Sequence, residues 1–340
     1  MYDVLVVGGG PIGLATACYA AEAGLTAVVA EPRTGPIDKA CGEGLMPPAV
    51  AALRGLGVEP AGRQLRGIRY CDASHSVDAE FRSGPGRGVR RTVLHEALAA
   101  RAEAAGVKVV PERVTEFWQS AGCVEASGIT ARYLVAADGL HSPIRRACGL
   151  DPAPARHARY GLRRHFQTAP WTDFVEVHWS AGSEAYVTPV DDGLVGVAVL
   201  GPAGDAFDER LAAFPELLDR LGGATAGPVR GAGPLRQAVR RRVAPGGRIL
   251  LVGDAAGYVD ALTGEGISVG LGQARALVAC LAAGRPADYE RQWRRVCRRS
   301  NLLTVALLAA RRNPVLGPRI VPAAGVLPAV FGGAVRLITG

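Results

Sequence analysis

The stretch YDVLVVGGGPIGLATACYAAEAGLTAVVAE, residues 2–31, decides the fold class. It opens with the uncharged aliphatic run 4–7, which is typical of a buried parallel strand. A glycine-rich turn at 8–13 follows, and an alanine-rich segment with good helix propensity then continues to Ala23. Gly24 ends that helix, and a second short strand at 27–30 leads to Glu31. This order of strand, glycine turn, helix, strand and acid predicts a βαβ unit.

Each part of this unit suits a dinucleotide. Gly8 allows the tight turn, Gly10 lets a pyrophosphate approach the backbone, and Gly13 lets the helix pack closely on the strand. The helix N-terminus presents free N–H groups and a partial positive charge to the phosphates. Glu31 is placed to accept hydrogen bonds from a ribose diol. The alternative is an ordinary βαβ unit that binds no nucleotide.

The charge of the chain is positive but has no nucleic-acid signature. At 340 residues, 49% hydrophobic and 21% charged, the chain is globular and has room for one large domain or two interleaved ones. The net charge of +8 comes mostly from arginine. The sequence contains no helix-turn-helix, zinc or RNA-binding motif and few aromatic residues. We therefore interpret the charge as solvated helix faces and expect no nucleic-acid partner.

The cysteines and the apolar stretches point to a reduced, cytoplasmic protein. The seven cysteines are scattered and show no CxxC or metal-like spacing, so we expect no metal site. No signal peptide precedes the first strand. The longest uncharged stretch, 320–335, contains two prolines and several glycines, which makes it a poor transmembrane helix.

Two later segments repeat the pattern of a strand followed by an acid. Residues 133–137 form an aliphatic run that ends at Asp138-Gly139, and residues 249–252 form another that ends at Gly253-Asp254. Both acids stand at carboxyl ends of predicted sheet strands, where open α/β sheets bind ligands. A glycine-opened helix follows the second acid, starting near Gly264. The second acid and this helix predict an extended cofactor rather than a simple nicotinamide dinucleotide.

Residues 160–200 change character. Four segments within them predict successive antiparallel strands, and several of these alternate with a period of two. Residues 67–70 and 76–81 predict a hairpin, and 207–221 predict one helix. An antiparallel sheet inserted between two βα pieces implies a second domain.

The loop Cys41-Gly42-Glu43-Gly44 has two interpretations. Two glycines that flank an acid suggest a backbone that closely approaches the cofactor or substrate. A sharp surface turn explains the same residues equally well.

The three strand-end motifs, in this order, resemble the para-hydroxybenzoate-hydroxylase-like superfamily of FAD-dependent oxidoreductases over residues 1 to 285. Cys41-Gly42-Glu43-Gly44 and the segment 262–267 are similar to its geranylgeranyl-reductase-like branch. The sequence departs from the pattern in two ways: Asp260-Ala261 replace a common proline, and the Trp-x-Trp motif of the halogenases is missing.

The resemblance implies an α/β fold with a Rossmann-like FAD-binding domain, an inserted antiparallel-sheet substrate domain and a C-terminal helical segment. The expected domains are 1–66, 90–156 and 240–290 for FAD, 67–89 and 157–239 for substrate, and 291–340 for the C-terminal segment. The residues assigned by resemblance to the FAD site are Gly8, Gly10, Pro11, Ile12, Gly13, Glu31, Pro32, Arg33, Lys39, Ala40, Cys41, Arg91, Asp138, Gly139, Gly253, Asp254, Gly264, Glu265, Gly266 and Ile267. Asp138-Gly139 would also support NAD(P)H handling.

Three functions follow from the resemblance. The leading hypothesis is a monooxygenase that uses NAD(P)H and O2 to hydroxylate or epoxidise an apolar small molecule, such as a phenolic, polyketide or prenylated compound of secondary metabolism. The second is a reductase that saturates an isoprenoid or enone C=C bond. The third is a non-catalytic FAD-binding module.

The substrate wall is expected on the antiparallel sheet. Its candidate residues are Arg163, His165, Phe166, Trp179, Tyr186 and Thr188. His165 or Tyr186 could orient or deprotonate a phenol, and Arg163 joins them as a catalytic candidate. The apolar tail from Pro314 could form a lid, a dimer face or a peripheral membrane contact.

Overall fold

The computed structural model describes residues 1–151 and 158–339, and the strands in it belong to three sheets. The strands are β1 Tyr2–Val7, β2 Ala27–Ala30, β3 Gly44–Leu45, β4 Arg63–Leu65, β5 Gly67–Cys71, β6 Ser76–Glu80, β7 Gly86–Gly88, β8 Lys108–Val110, β9 Phe117–Gln119, β10 Val124–Ala126, β11 Ile129–Ala136, β12 Tyr160–Gln167, β13 Phe174–Trp179, β14 Glu184–Asp191, β15 Leu194–Gly201, β16 Thr225–Ala226, β17 Arg230–Ala232 and β18 Ile249–Leu251.

The helices cover the sheets and build the C-terminal segment. They are α1 Pro11–Glu22, α2 Pro47–Gly55, α3 Arg91–Ala104, α4 Pro143–Ala147, α5 Phe207–Leu211, α6 Pro215–Leu221, α7 Gly266–Ala282, α8 Tyr289–Arg312, α9 Ile320–Val326 and α10 Pro328–Thr339. Short 3-10 helices lie at Gly253–Ala256, Pro286–Asp288 and Gly317–Arg319.

The first sheet places the three sequence motifs at one edge. Its order is β8-β2-β1-β11-β10-β9, and β18 also pairs with β11. Strands β8, β2, β1, β11 and β18 run parallel. Val7 of β1 is in register with Ala136 of β11, which is in register with Leu251 of β18. The three strands therefore end together, and the residues that follow them converge on one site.

The second sheet is mostly antiparallel and carries the other half of that site. Its order is β16-β12-β15-β14-β13-β5-β6, and β17 pairs with β12. The predicted hairpin is present as β5 and β6, and β5 joins the sheet parallel to β13. A small sheet, β3-β7-β4, forms a third layer. The predicted boundary between residues 156 and 157 lies outside the described residues, and the domain limits stay a prediction.

The single helix predicted over 207–221 is divided in two. Helix α5 ends at Leu211, and α6 begins at Pro215, which occupies its first turn. Proline has no N–H to donate to the preceding turn, so a new helix starts there.

The C-terminal helices pack on the edge of the second sheet. Helices α9 and α10 contact β6, and the Phe331 ring lies 4.6 Å from the Tyr70 ring. In the described part of the chain, no single helix is both long and apolar enough to span a membrane. The segments Gly317–Val326 and Val330–Arg336 meet that test as a pair, bent by 104°.

Candidate active site

A cavity of about 220 Å³ lies between the carboxyl edge of the first sheet and one face of the second. Its first half is polar and comes from the strand-end motifs. The sequence-predicted FAD residues that line it are Pro11, Ile12, Gly10, Arg33, Lys39, Ala40, Cys41, Arg91, Asp138, Gly139, Gly253, Asp254, Gly264, Gly266 and Ile267. Five further predicted FAD residues are not among the lining residues: Gly8, Gly13, Glu31, Pro32 and Glu265.

The glycine turn is shaped by two different constraints. A Cβ on Gly13 would lie 1.9 Å from the Gly8 carbonyl oxygen, and Gly8 itself has φ +105°. These two glycines allow the turn to fold and the helix to pack. Gly10 differs, because the nearest atom to a Cβ there would be Arg91 Nη2, at 3.8 Å. Its backbone therefore faces open cavity, as a position approached by a phosphate requires.

Glu31 is buried beside the turn and anchors it. Its Oε2 accepts a hydrogen bond of 2.8 Å from the Gly9 N–H, and Arg33 donates to both carboxylate oxygens at 2.7 and 2.8 Å. Burial acts to raise the pKa of Glu31, but the hydrogen bonds from Arg33 and Gly9 outweigh it and hold the pKa below its usual range. Contact of Glu31 with a ribose stays a prediction.

Basic side chains gather around the turn. Lys39 lines the cavity, and its pKa is lowered by burial first and then by the nearby charges of Arg33 and Arg91. The buried Nε of Arg91 has no hydrogen-bond partner in the described structure. Three cations beside an open glycine backbone fit a bound diphosphate, which supplies the missing anionic partner.

Two buried acids complete the polar half. Burial raises the pKa of Asp138 and that of Asp254. Asp138 Oδ2 accepts a 3.3 Å hydrogen bond from the Ile144 N–H, whereas its buried Oδ1 has no partner among the described residues. An unsatisfied buried acceptor is costly, so a donor from a bound ligand fits there.

The helix predicted near Gly264 begins at Gly266 as α7, and its N-terminus borders the cavity. Its partial positive charge suits a ligand that develops negative charge. The Glu265 side chain points elsewhere, because its Oε2 accepts a 2.9 Å hydrogen bond from Ser300 Oγ on α8. Glu265 precedes α7 as its N-cap residue, but its side chain does not line the cavity.

The loop 41–44 lies against the cavity, so the surface-turn interpretation of it was wrong. Glu43 has φ 59°, an unusual conformation for a residue other than glycine. Its Oε1 accepts from the Arg91 N–H at 2.8 Å, and its Oε2 lies 2.6 Å from His165 Nε2. Thr188 Oγ1 also donates to the Gly42 carbonyl at 2.7 Å. Two side chains of the second sheet and the backbone at the start of α3 thus hold this loop in place.

The predicted substrate wall is only partly present. Arg163, Tyr186 and Thr188 line the cavity, but His165, Phe166 and Trp179 are not among its lining residues. His165 is held behind the wall by Glu43 and by Arg163, whose Nη1 lies 3.0 Å from its Nδ1. Phe166 packs into a separate hydrophobic cluster on the far face of the sheet, because successive residues of a strand point to opposite faces.

Arg163 and Tyr186 are both engaged in the fold. Arg163 forms an ion pair with Asp38 and donates to the Lys39 carbonyl at 3.4 Å. The Tyr186 hydroxyl donates to the Leu262 carbonyl at 2.8 Å, and burial raises its pKa well above the usual value. A tyrosine that stays protonated and donates to the backbone is poorly suited to deprotonate a phenol. Catalytic roles for these residues stay predictions.

Sequence reasoning missed most of the apolar half. It is formed by Ile37, Met46, Leu140, Leu162, Val175, Ala198, Leu200, Leu235, Tyr258 and Ala261. These residues come from segments far apart in the chain, and no local pattern separates them from ordinary core residues. His95 was also missed; its Nε2 lies 3.0 Å from the Gly9 carbonyl oxygen and supports the glycine turn.

Comparison with known families decides what the polar half binds. The model of the FAD binding domain family matches residues 1–217. The chain belongs to this FAD binding domain family. Three features of the polar half are those expected of a site for FAD: the open glycine turn, the clustered cations and the unpaired Asp138 oxygen. The residues present therefore fit the cofactor that this family binds. Within the described residues, no group of three or more His, Cys, Asp or Glu could hold a metal ion.

Several curated relatives of this FAD-binding chain are named as reductases. A menaquinone reductase of Mycolicibacterium smegmatis is 31% identical over 327 residues, which cover 86% of this chain and 79% of the relative. Digeranylgeranylglycerophospholipid reductase 2 of Methanopyrus kandleri is 30% identical over 305 residues, covering 79% and 74%. The chain is therefore an FAD-dependent oxidoreductase.

Solved structures confirm the predicted mixed α/β fold. A flavin-dependent brominase superposes with a TM-score of 0.82 at 17% identity, covering 99% of this chain and 93% of the other. At this identity the likeness concerns the fold alone.

Proposed function

We propose that this FAD-dependent oxidoreductase saturates a carbon–carbon double bond in an apolar, isoprenoid-like substrate, with NAD(P)H as the reductant. The observation that carries the proposal is the similarity, at 30% identity or more across most of the chain, to proteins named menaquinone reductase and digeranylgeranylglycerophospholipid reductase. Both names describe proteins that handle isoprenoid compounds.

The cavity supports this chemistry. Its apolar half, which includes Val175, Leu200 and Leu235, would bind a hydrocarbon chain and exclude water. When bound and reduced, FAD would supply the hydride for one carbon of the double bond. The other carbon takes a proton, so the substrate gains two hydrogens and NAD(P)H is oxidised to NAD(P)+. The α7 N-terminus would stabilise negative charge during the reaction.

Among the protic side chains that line the cavity, Cys41 and Tyr258 are our candidates to provide that proton. Cys41 is the one thiol among the described lining residues. Tyr258 also lines the cavity, and its hydroxyl lies 3.6 Å from the position of a Cβ built on Gly266. Burial raises the pKa of Tyr258 well above the usual value, so the hydroxyl stays protonated, and the proton would have to pass to a carbon that is more basic than the phenolate. We assign proton delivery to this pair.

Oxygen transfer is the second candidate. The same cavity would exclude water from the reacting groups, which would favour hydroxylation or epoxidation with O2. Hydroxylation of a phenol is less well supported, because His165 does not line the cavity and the Tyr186 hydroxyl donates to Leu262. Epoxidation or hydroxylation of an alkene needs neither side chain as a base.

Mass spectra of extracts from the source strain, with and without this gene, test the choice. The reductase proposal predicts that the deletion strain loses a compound two hydrogens heavier than the precursor that it accumulates. A lost compound that carries one more oxygen than its precursor would support the second candidate instead.

A further inference from the structure

The C-terminal segment 291–340 accounts for the net positive charge of the protein. Nine of the 39 basic residues and none of the 31 acidic residues lie in it. The segment therefore has a formal charge of +9, and residues 1–290 have a formal charge of −1. The net charge of the chain is a local property of its last helices, which calls for a local explanation.

The same segment exposes most of the large apolar side chains that face solvent. Of the twelve exposed large hydrophobic residues in the described structure, seven lie between residues 302 and 330. Val326 is 79% exposed and Leu327 is 54% exposed. We call the exposed valines and leucines of 302–330 the C-terminal apolar patch. Soluble surfaces seldom concentrate apolar side chains in this way without a binding role.

Charge and apolar surface occur on one helix face. The exposed positions of α8 follow helical spacing and include Arg291, Arg294, Arg298, Leu302, Val305 and Arg312. We call these exposed positions the α8 stripe. The stripe is basic over its first three turns and apolar over the next two. Arg295, Arg298, Arg299, Arg312, Arg319 and Arg336 form no ion pair with described residues. These guanidinium groups are available to anionic partners.

The helices that carry the patch are anchored to the fold, so the surface is a fixed one. Arg311 forms an ion pair with the fully buried Glu184 of β14 and donates to the Ser180 carbonyl at 3.1 Å. Phe331 and Val321 belong to the same hydrophobic cluster as the cavity-lining residues Val175 and Leu200. Apolar packing is therefore continuous from the C-terminal helices to the substrate half of the cavity.

A smaller cleft lies between the patch and the cavity. It has a volume of about 130 Å³ and is lined by Val305 and Arg312 of the α8 stripe. Val259 and Asp260 form its other side. These two residues connect Tyr258 to Ala261, which line the main cavity.

We propose that the C-terminal apolar patch and the arginines around it dock this enzyme on the surface of a bilayer that contains anionic lipids. Apolar side chains would enter the acyl boundary, and the arginines would contact lipid phosphates. Charge complementarity selects an anionic bilayer as the occupant, because a second copy of this chain would bring a second +9 segment to the same surface. The docking proposal rests on the proposed function in one respect: docking would give the enzyme access to a substrate that is dissolved in the membrane.

Vesicle co-sedimentation of the full-length, FAD-loaded protein tests the proposal. We expect binding to vesicles of phosphatidylcholine with phosphatidylglycerol, weak binding to phosphatidylcholine alone, and release as salt is raised. Arg298→Gln with Arg299→Gln should weaken partitioning about 20- to 30-fold, since each basic residue near an anionic surface contributes about fivefold. Val326→Asn with Leu327→Gln should weaken it on both vesicle types.

Matched variants elsewhere on the surface provide the control. Trp118 is 62% exposed on β9, and Arg54 and Arg66 are exposed arginines outside the segment. Trp118→Gln, and Arg54→Gln with Arg66→Gln, should leave partitioning unchanged. Equal losses in these controls, or no vesicle binding by the unaltered protein, would overturn the proposal. So would light scattering that shows a dimer dissociated by Val326→Asn with Leu327→Gln.

A water-soluble, short-chain alkene substrate separates this proposal from the proposed function. Turnover of that substrate without vesicle binding contradicts only the docking surface. Vesicle binding without turnover of any alkene contradicts only the reductase.

Discussion

His165 Nε2 lies 2.6 Å from Glu43 Oε2, and this buried contact ties the antiparallel sheet to the loop that borders the FAD site. The other Glu43 oxygen accepts from the Arg91 N–H, at the start of α3 in the first half of the molecule. Glu43 thus joins three parts of the chain behind the cavity. Its positive φ shows that the backbone adopts an uncommon conformation to place this carboxylate.

Glu43→Ala should destabilise the protein by about 3 kcal/mol, because it leaves the buried His165 ring and the Arg91 N–H without their carboxylate partner. Chemical denaturation measures the change in the free energy of unfolding. Glu59→Ala is the matched control, since Glu59 pairs with Arg54 on the surface and both side chains are more than half exposed. A surface ion pair contributes at most about 1 kcal/mol to the free energy of unfolding. Equal effects of the two variants would contradict the assigned role of Glu43.

Gly10→Ala should lower FAD affinity on the order of tenfold or more while leaving the fold intact. A Cβ at this position meets no atom closer than 3.8 Å, but it enters the space where a phosphate approaches the backbone. Fluorescence titration of the apoprotein with FAD measures the affinity, and circular dichroism checks the fold. Gly122→Ala, where a Cβ has nothing within 4 Å, should leave both unchanged. Normal FAD binding by Gly10→Ala would show that the cofactor does not pass this glycine.

Two tyrosines of the cavity should respond differently to loss of the hydroxyl. Tyr258→Phe removes a proposed proton donor and should lower the turnover number about tenfold or more with FAD content unchanged. Tyr186→Phe removes only a hydrogen bond to Leu262, so it should cost about 1 kcal/mol of stability and leave turnover within about threefold. Steady-state kinetics and thermal denaturation of both variants separate these roles. A larger loss of turnover in Tyr186→Phe would reverse the assignment.

Glu265 should make the stability of the protein depend on pH. Burial, opposed by hydrogen bonds from Ser300 and Thr263, raises the pKa of this carboxyl above its usual value. The folded state therefore binds the proton more tightly than the unfolded chain, and the stability gained is lost as pH rises through the raised pKa. Glu265→Gln stays neutral, so its stability relative to the unaltered protein should increase as the pH rises above about 4.

Thermal denaturation at saturating FAD across that pH range checks the prediction. Glu59→Gln, at an exposed position, should show no such trend. If the difference in melting temperature between Glu265→Gln and the unaltered protein were the same at every pH, the Glu265 carboxyl would have the same pKa in the folded and unfolded states.

The polar half of the site was predictable because it is local in sequence. The turn at 8–13, Asp138 and Asp254 each follow a recognisable aliphatic strand, and parallel strands bring their carboxyl ends to one edge. The strand alternation of 160–200 predicted the antiparallel sheet in the same way. These features depend only on neighbours in the chain and on the geometry of a parallel sheet.

The apolar half was not predictable from local patterns. Alternation along β12 separates Phe166 from Arg163 and His165, but which of the two faces meets the cavity depends on the packing of the whole sheet. His165 does point toward the site, but Glu43, 122 residues away in sequence, occupies its ring nitrogen. Such long-range pairing leaves no signal within either segment. Tyr258 follows Asp254 by four residues, and nothing in the local sequence marks its side chain as facing a cavity.

An anaerobic single-turnover assay tests the central claim most directly. The purified enzyme, with its FAD reduced by NAD(P)H in the absence of O2, is mixed with a geranylgeranyl lipid that has no quinone ring, and the product masses are measured by mass spectrometry. The account predicts reoxidation of the flavin and a product two hydrogens heavier than the substrate. A flavin that stays reduced until O2 is admitted, followed by a product with one added oxygen, would contradict it.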